Sequence, residues 1–157
     1  MPAPDSSRSA LLCWDGSDGA VSAMQHAARI LGAGHDAVVL FAHVPTESAR
    51  GVLAGFSGPD APIMGISDAE DLLERGVEVA REAGFNATGL RIVAERKTSE
   101  IVVAVAEERD AVLIVMGQRQ RSPLGTLLLG SVARDVLSSN HRPVMLVGPG
   151  SSGPQRR

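Results

Sequence analysis

The chain has 157 residues, of which 44% are hydrophobic and 3% aromatic, and its formal net charge is −3. That length fits one domain, at a size where folding hides roughly 70% of the unfolded surface. With no basic excess and no Tyr, neither a phosphate-binding field nor a base-stacking surface is available, which argues against nucleic-acid binding. The one cysteine, Cys13, cannot close an internal disulfide. No apolar run reaches the roughly 18–20 residues of a membrane span, and Met1 to Ser9 is polar and proline-bearing rather than signal-like. A cytoplasmic protein without a membrane partner is expected.

Five short aliphatic runs follow one another: Ala10 to Trp14, Ala37 to Val44, Leu90 to Ala94, Ala111 to Met116 and Val144 to Val147. Several are apolar at nearly every position, the pattern of a parallel strand covered on both faces. Between the first two, Asp18 to Leu31 sets Val21, Met24, Ala28 and Leu31 on one stripe, with Ser17 or Asp18 as cap and Gly32 as stop. Ser67 and Glu70 have capping-box spacing and open a helix that carries Leu72, Leu73, Gly76, Val79, Ala80 and Ala83 inward and stops at Gly84. A third helix is expected from about Ser99 to Glu108, behind Thr98 or Ser99 as cap. A fourth runs from Ser131 to about Ser139, before the turn at His141 to Pro143. Strands that alternate with helices imply right-handed crossovers. The fold expected is α/β, an open five-stranded parallel sheet with helices on both faces.

Pro45 to Ile66 breaks this rhythm with Gly, Pro and Ser, and reads as a long connection with a short helix near Ala49 to Leu53. The expected organisation is a tail over 1–8, a single domain over 9–148, and a Gly/Ser/Pro-rich tail over 149–157, both tails disordered.

Open α/β sheets bind ligands at the carboxyl ends of their strands, and three segments fall there. In Trp14 to Gly19, Asp15 ends the first strand and can accept hydrogen bonds from an adenosine moiety; taken locally, the segment is also an ordinary strand-to-helix turn. In Met116 to Ser131, Gly117 follows a buried strand, where a missing side chain would let a ligand approach the backbone. Gly130 and Ser131 open a helix whose free N–H groups favour an anion, and Arg119 and Arg121 add charge. At His43 and Val44, main-chain groups at the end of the second strand could read the edge of a base.

These segments resemble the universal stress protein family. ATP-binding members carry a glycine, two residues, a second glycine, nine residues, then glycine and Ser or Thr. Here Gly117, two residues, Gln120, nine residues and Gly130-Ser131 stand in that order. Asp15-Gly16-Ser17, His43-Val44 and the late Arg142-Pro143-Val144 add to the likeness, which spans roughly Ser9 to Val147. The resemblance implies a Rossmann-like fold of the adenine nucleotide alpha hydrolase kind. It implies that Asp15 and the Val44 backbone face adenine and ribose, that Met116 and Gly117 line the ribose, and that Gly130, Ser131 and the Val132 backbone hold phosphates. ATP with magnesium would be the ligand, and a homodimer through Val144 to Val147 the assembly. Gln120 departs from the family glycine. It keeps an N–H, but a left-handed backbone there would cost a residue with a Cβ roughly 1–2 kcal/mol.

Other signals carry less. Gly32 to Ala37 matches a dinucleotide fingerprint, but a helix precedes it and a strand follows, the reverse of what that fingerprint requires. His26, His35, His43 and His141 lack zinc spacing, and Cys13 lies inside an apolar strand. No catalytic residue is assigned. The expected function is an adenine-nucleotide binding module in stress response or signalling. The alternatives are a slow ATPase and a nucleotide-free homodimeric interaction protein; an AMP-forming ligase is disfavoured because its Ser-Gly-Gly-x-Asp-Ser loop is missing after the first strand.

Overall fold

A computed structural model describes residues 8–48, 61–118 and 130–148. The short helix expected near Ala49 to Leu53, Gln120, Arg119, Arg121, most of the N-terminal tail and all of the C-terminal tail lie outside these residues. In chain order the elements are β1 (Ala10–Cys13), α1 (Asp18–Leu31), β2 (Asp36–Pro45), β3 (Ile63–Met64), α2 (Ile66–Ala83) and β4 (Asn86–Val93). They continue as α3 (Thr98–Glu108), β5 (Leu113–Gly117), α4 (Ser131–Ser139) and β6 (Val144–Val147). The α/β class holds, and every strand pair is parallel.

The sheet runs β4-β2-β1-β5-β6, and the two-residue β3 makes a sixth strand against the end of β2. Its position follows from hydrogen-bond direction. In a parallel strand the N–H and C=O of one residue point to one edge and those of the next residue to the other. β4 uses the odd carbonyls of this stretch: Asn86 donates to His35 at 3.0 Å and Ala94 to His43 at 2.8 Å. The opposite edge belongs to the even positions, where Trp14 donates to the Leu40 carbonyl at 2.9 Å and Val44 donates to that of Pro62 at 2.8 Å. β3 therefore continues the β1 edge of β2 beyond the point where β1 turns away.

Side-chain alternation divides the interior in two. Ala10, Leu12 and Trp14 of the first segment join Val39, Phe41, Met24, Ala27 and Ala80 under α1 and α2. Leu11 joins Leu40, Ala42, Ile114, Val102, Val105 and Val136 under α3 and α4. This burial on both faces is why the strands read as continuous apolar runs.

Several boundaries differ from expectation. β4 starts at Asn86 rather than Leu90, because it is an edge strand whose exposed Thr88 and half-buried Arg91 interrupt the apolar signal. The Ser67–Glu70 capping box does not form. α2 begins one residue earlier behind Gly65, with no side-chain cap, and Asp68 supplies negative charge in the first turn. α3 is preceded by Lys97 rather than capped by Thr98 or Ser99, and Ser99 is buried. The stops at Gly32 and Gly84 are as expected, with φ of 90° and 117°.

Candidate functional site

A cavity of 350 Å³ opens at the carboxyl ends of β1, β2 and β5, within the roughly 300–1,000 Å³ range of small-molecule sites. It lies where chain order reverses, since β1 sends the chain to β2 on one side and β5 flanks it on the other. Of the residues singled out from sequence, it brings together Asp15, Met116, Gly117, Gly130, Ser131 and Val132.

The β1 end is built by short-range hydrogen bonds. Asp15 Oδ1 accepts from the Ser17 N–H at 2.9 Å, and Ser17 Oγ accepts from the Ala20 N–H at 3.1 Å. The first turn of α1 is thus capped by the protein itself, and part of the Asp15 carboxylate is committed to shaping that turn. Trp14 is held from behind: its Nε1–H donates to the Leu72 carbonyl at 2.7 Å, and its ring lies where a Cβ on Gly76 would meet it at 2.8 Å. This fixes α2 against the cavity wall.

The role expected for Gly117 needs correcting. A Cβ there would meet the carbonyl of Gly19 at 2.4 Å and the Ala20 nitrogen at 2.7 Å. The direction left open by the missing side chain is filled by the start of α1, not by ligand space. Gly117 is a packing glycine that also borders the cavity.

The start of α4 differs from that of α1. Gly130 occupies the cap position with no side-chain cap, and the first helical bond runs from the Arg134 N–H to the Gly130 carbonyl at 3.0 Å. The N–H groups of Ser131, Val132 and Ala133 precede that bond and belong to the orphan set of a helix start. All three residues line the cavity, and among the described residues nothing lies within 4 Å of a Cβ placed on Gly130. Donors and a positive dipole end therefore face the cavity.

The Val44 amide, expected to be exposed, is instead paired with Pro62, and Val44 is absent from the lining among the described residues. Ala61 and Pro62 take that side, together with Leu40, Ala42, Thr98 and Val102. Sequence reasoning missed these because the first two sit in the irregular connection and the rest are ordinary core positions. His43 is buried behind the site. It stacks on Phe41 at 5.9 Å and its Nε2 lies 3.0 Å from Arg91 Nη1, so the guanidinium donates and the imidazole accepts. Burial and the Arg91 charge hold its pKa below the ordinary value, so His43 is neutral near pH 7.

Cys13, at the floor, has its thiol pushed up to about 12 by burial and by Asp15, so it stays protonated. Among the described residues no group of three acidic, His or Cys side chains is placed to hold a metal. No described helix is long and apolar enough to cross a membrane.

A curated relative from Mycolicibacterium smegmatis, a universal stress protein, is 46% identical over 52 residues. That match spans 33% of this chain and 39% of the relative, less than half its length. A universal stress protein structure from Archaeoglobus fulgidus superposes with a TM-score of 0.68 at 28% identity, covering 89% of this chain and 98% of that one. The structure of the universal stress protein from the same organism in complex with dAMP gives 0.65 at 23% identity, covering 89% and 97%. The model of the universal stress protein family matches residues 7–148, a span that contains every described residue, and the chain belongs to that family.

Proposed function

We propose that this chain is a nucleotide-binding module that takes ATP with magnesium in the β1/β5 cavity. The observation that carries the reading is the uncapped start of α4. α1 satisfies its own first turn through Ser17, whereas Ser131, Val132 and Ala133 present theirs to the cavity. A fold relative solved with dAMP supports an adenine nucleotide as the ligand.

In this reading phosphates sit on the Ser131 and Val132 N–H groups and the Ser131 hydroxyl, and ribose lies against Asp15, Met116 and Gly117. Among the described lining residues Asp15 is the one acidic side chain, and none is Lys or Arg. Neutralising a triphosphate would therefore fall to the α4 dipole and to magnesium, whose charge would offset that of the phosphates with few protein ligands; Arg119 and Arg121, expected from the sequence to add charge, lie outside the described residues. The dipole contributes about 0.3–1 kcal/mol, up to ~2 when partly buried. Charge-assisted hydrogen bonds add about 1.5–3 kcal/mol each. Two or three such terms reach the roughly 4–8 kcal/mol of millimolar to micromolar binding.

Binding rather than turnover is the proposed role: the Cys13 thiol is protonated, and one Asp15 oxygen is tied to the adjacent turn. Occupancy would set the conformation and pairing of a cytoplasmic homodimer through β6, in stress response or signalling. Trp14, the one tryptophan of the chain, lines the cavity and reports on it directly. Stripped protein titrated with Mg-ATP should change Trp14 emission saturably, and Ser131→Ala should bind several-fold more weakly. A flat titration up to millimolar ATP, with no nucleotide released on denaturing the purified protein, would favour the nucleotide-free interaction protein.

A further inference from the structure

His43 is the one fully buried histidine among the described residues, and its surroundings make it sensitive to a proton. Its Nε2 accepts from Arg91 Nη1 at 3.0 Å, so the proton of the neutral ring sits on Nδ1. Nδ1 is itself buried and meets no hydrogen-bond partner among the described residues. The ring stacks on Phe41, which borders the cavity. Of the neighbouring backbone, that of Met64 in β3 favours the charged ring. β4 contributes Arg91, whose charge acts on the ring, and α2 contributes the exposed Glu70, 3.8 Å from Arg91 Nη2. Phe41 on β2 and Met64 on β3 carry no charge.

β3 is joined to β2 by two register pairs, Val44 with Ile63 and Pro45 with Met64, and the Val44 N–H donates to the Pro62 carbonyl at 2.8 Å. Ala61 and Pro62, just before these pairs, form the cavity wall on that side. An element held by so few bonds opens at low cost. We propose that His43 is a proton-operated latch on the β2–β3 wall of the cavity. Neutral, it accepts from Arg91 and the wall is closed. A second proton, taken from solvent onto Nε2, sets a donor and a positive charge against the guanidinium, so Arg91 swings out to Glu70 and water. The imidazolium, still buried, requires an acceptor, and the Met64 carbonyl is the one that the backbone offers. Drawing Met64 inward takes β3 out of register, breaks the Val44–Pro62 bond and moves Ala61 and Pro62 off the cavity. The latch goes beyond the nucleotide reading and does not depend on it, because the wall moves whatever the cavity binds.

The test is NMR of the ¹⁵N-labelled full chain without nucleotide, taken from neutral to mildly acidic pH. The His43 ring should titrate below 6.5. Hydrogen-exchange protection of the Val44 amide, corrected for intrinsic exchange, should fall by up to about tenfold per pH unit below that value. Protection of Ile114, which donates to Pro143, should hold. Acrylamide quenching of Trp14, which is buried and borders the cavity, should rise over the same interval. His43→Gln keeps an acceptor for Arg91 and should retain its Val44 protection throughout. Arg91→Gln removes the like charge, so ring titration and loss of Val44 protection should both move to higher pH; this shift decides alone if His43→Gln does not fold. Val44 protection that stays flat while the ring titrates overturns the latch. So does loss of protection at Val44 and Ile114 together, or the wild-type loss recurring in His43→Gln.

Discussion

Gly117→Ala separates packing from ligand access at the centre of the site. The added methyl would stand 2.4 Å from the carbonyl carbon and oxygen of Gly19 and 2.7 Å from the Ala20 nitrogen. All are main-chain atoms, so no side chain can rotate away. Ordinary contact begins near 3.4 Å, so α1 and β5 must separate by about 1 Å at this point. α1 carries Ala20, Ala23, Met24, Ala27 and Ala28 into the core under the sheet. A shift of its first turn therefore loosens well-packed side chains as well as relieving the clash. Overpacking of a rigid core costs about 1–3 kcal/mol, occasionally more, and the backbone nature of this contact puts Gly117→Ala at the upper end.

Urea unfolding followed by Trp14 emission measures it. With an m-value of about 1–3 kcal/mol/M, the midpoint should fall by roughly 1–2 M with m unchanged. Gly130→Ala is the control: among the described residues a Cβ there meets nothing within 4 Å, and a cap change from Gly to Ala costs about 1 kcal/mol. If Gly117→Ala unfolds at the wild-type midpoint while losing ATP, the glycine serves ligand approach and the packing account is wrong.

Three further outcomes follow from the same geometry. Cys13, with its thiol at about 12, should resist a thiol reagent at pH 8 in the folded protein and react at once in urea; fast native labelling would show an open floor. His43 has a folded pKa below its unfolded 6.5, so its contribution is complete above that value and is lost as pH falls through 6.5 toward the folded pKa. The urea midpoint should therefore drop on acidification below pH 6.5 more steeply in wild type than in His43→Gln, which retains an acceptor for Arg91; parallel pH profiles would refute the burial argument. On β6, Ile114 and Gln118 donate to Pro143 and Val147, so by alternation Val144 and Leu146 face the outer edge. Leu146→Pro removes an outward N–H while sparing the β5 ladder, and should give a monomer by sedimentation; an unchanged mass would count against pairing through this edge.

The repetitive part of the fold was legible because burial on both faces writes itself into composition. α1 spans the Asp18–Leu31 read from sequence, and α4 opens at Ser131 and closes at about the expected residue, since a glycine or a proline-bearing turn marks their ends. Where elements are edge-exposed the signal thinned. β4 lost its first half to Asn86, Thr88 and Gly89, and α2 began behind a glycine that offers no side chain to recognise. The phosphate end of the candidate site was legible for the same reason as α4: a Gly-Ser pair opening a helix carries its chemistry in the local sequence.

The β2 side of the cavity is not legible in the sequence, and the reason is physical. Which main-chain groups face a cavity depends on where a neighbouring strand stops pairing. β1 yields at Cys13, one residue before its apolar run ends, and a strand of two residues picks up the same edge at Val44. Neither event changes composition or periodicity. Together they close the Val44 amide, a group that the sequence alone leaves open. Side-chain patterns identify which elements surround a site; the donors and acceptors that discriminate its ligand are set by register, which only the assembled sheet reveals.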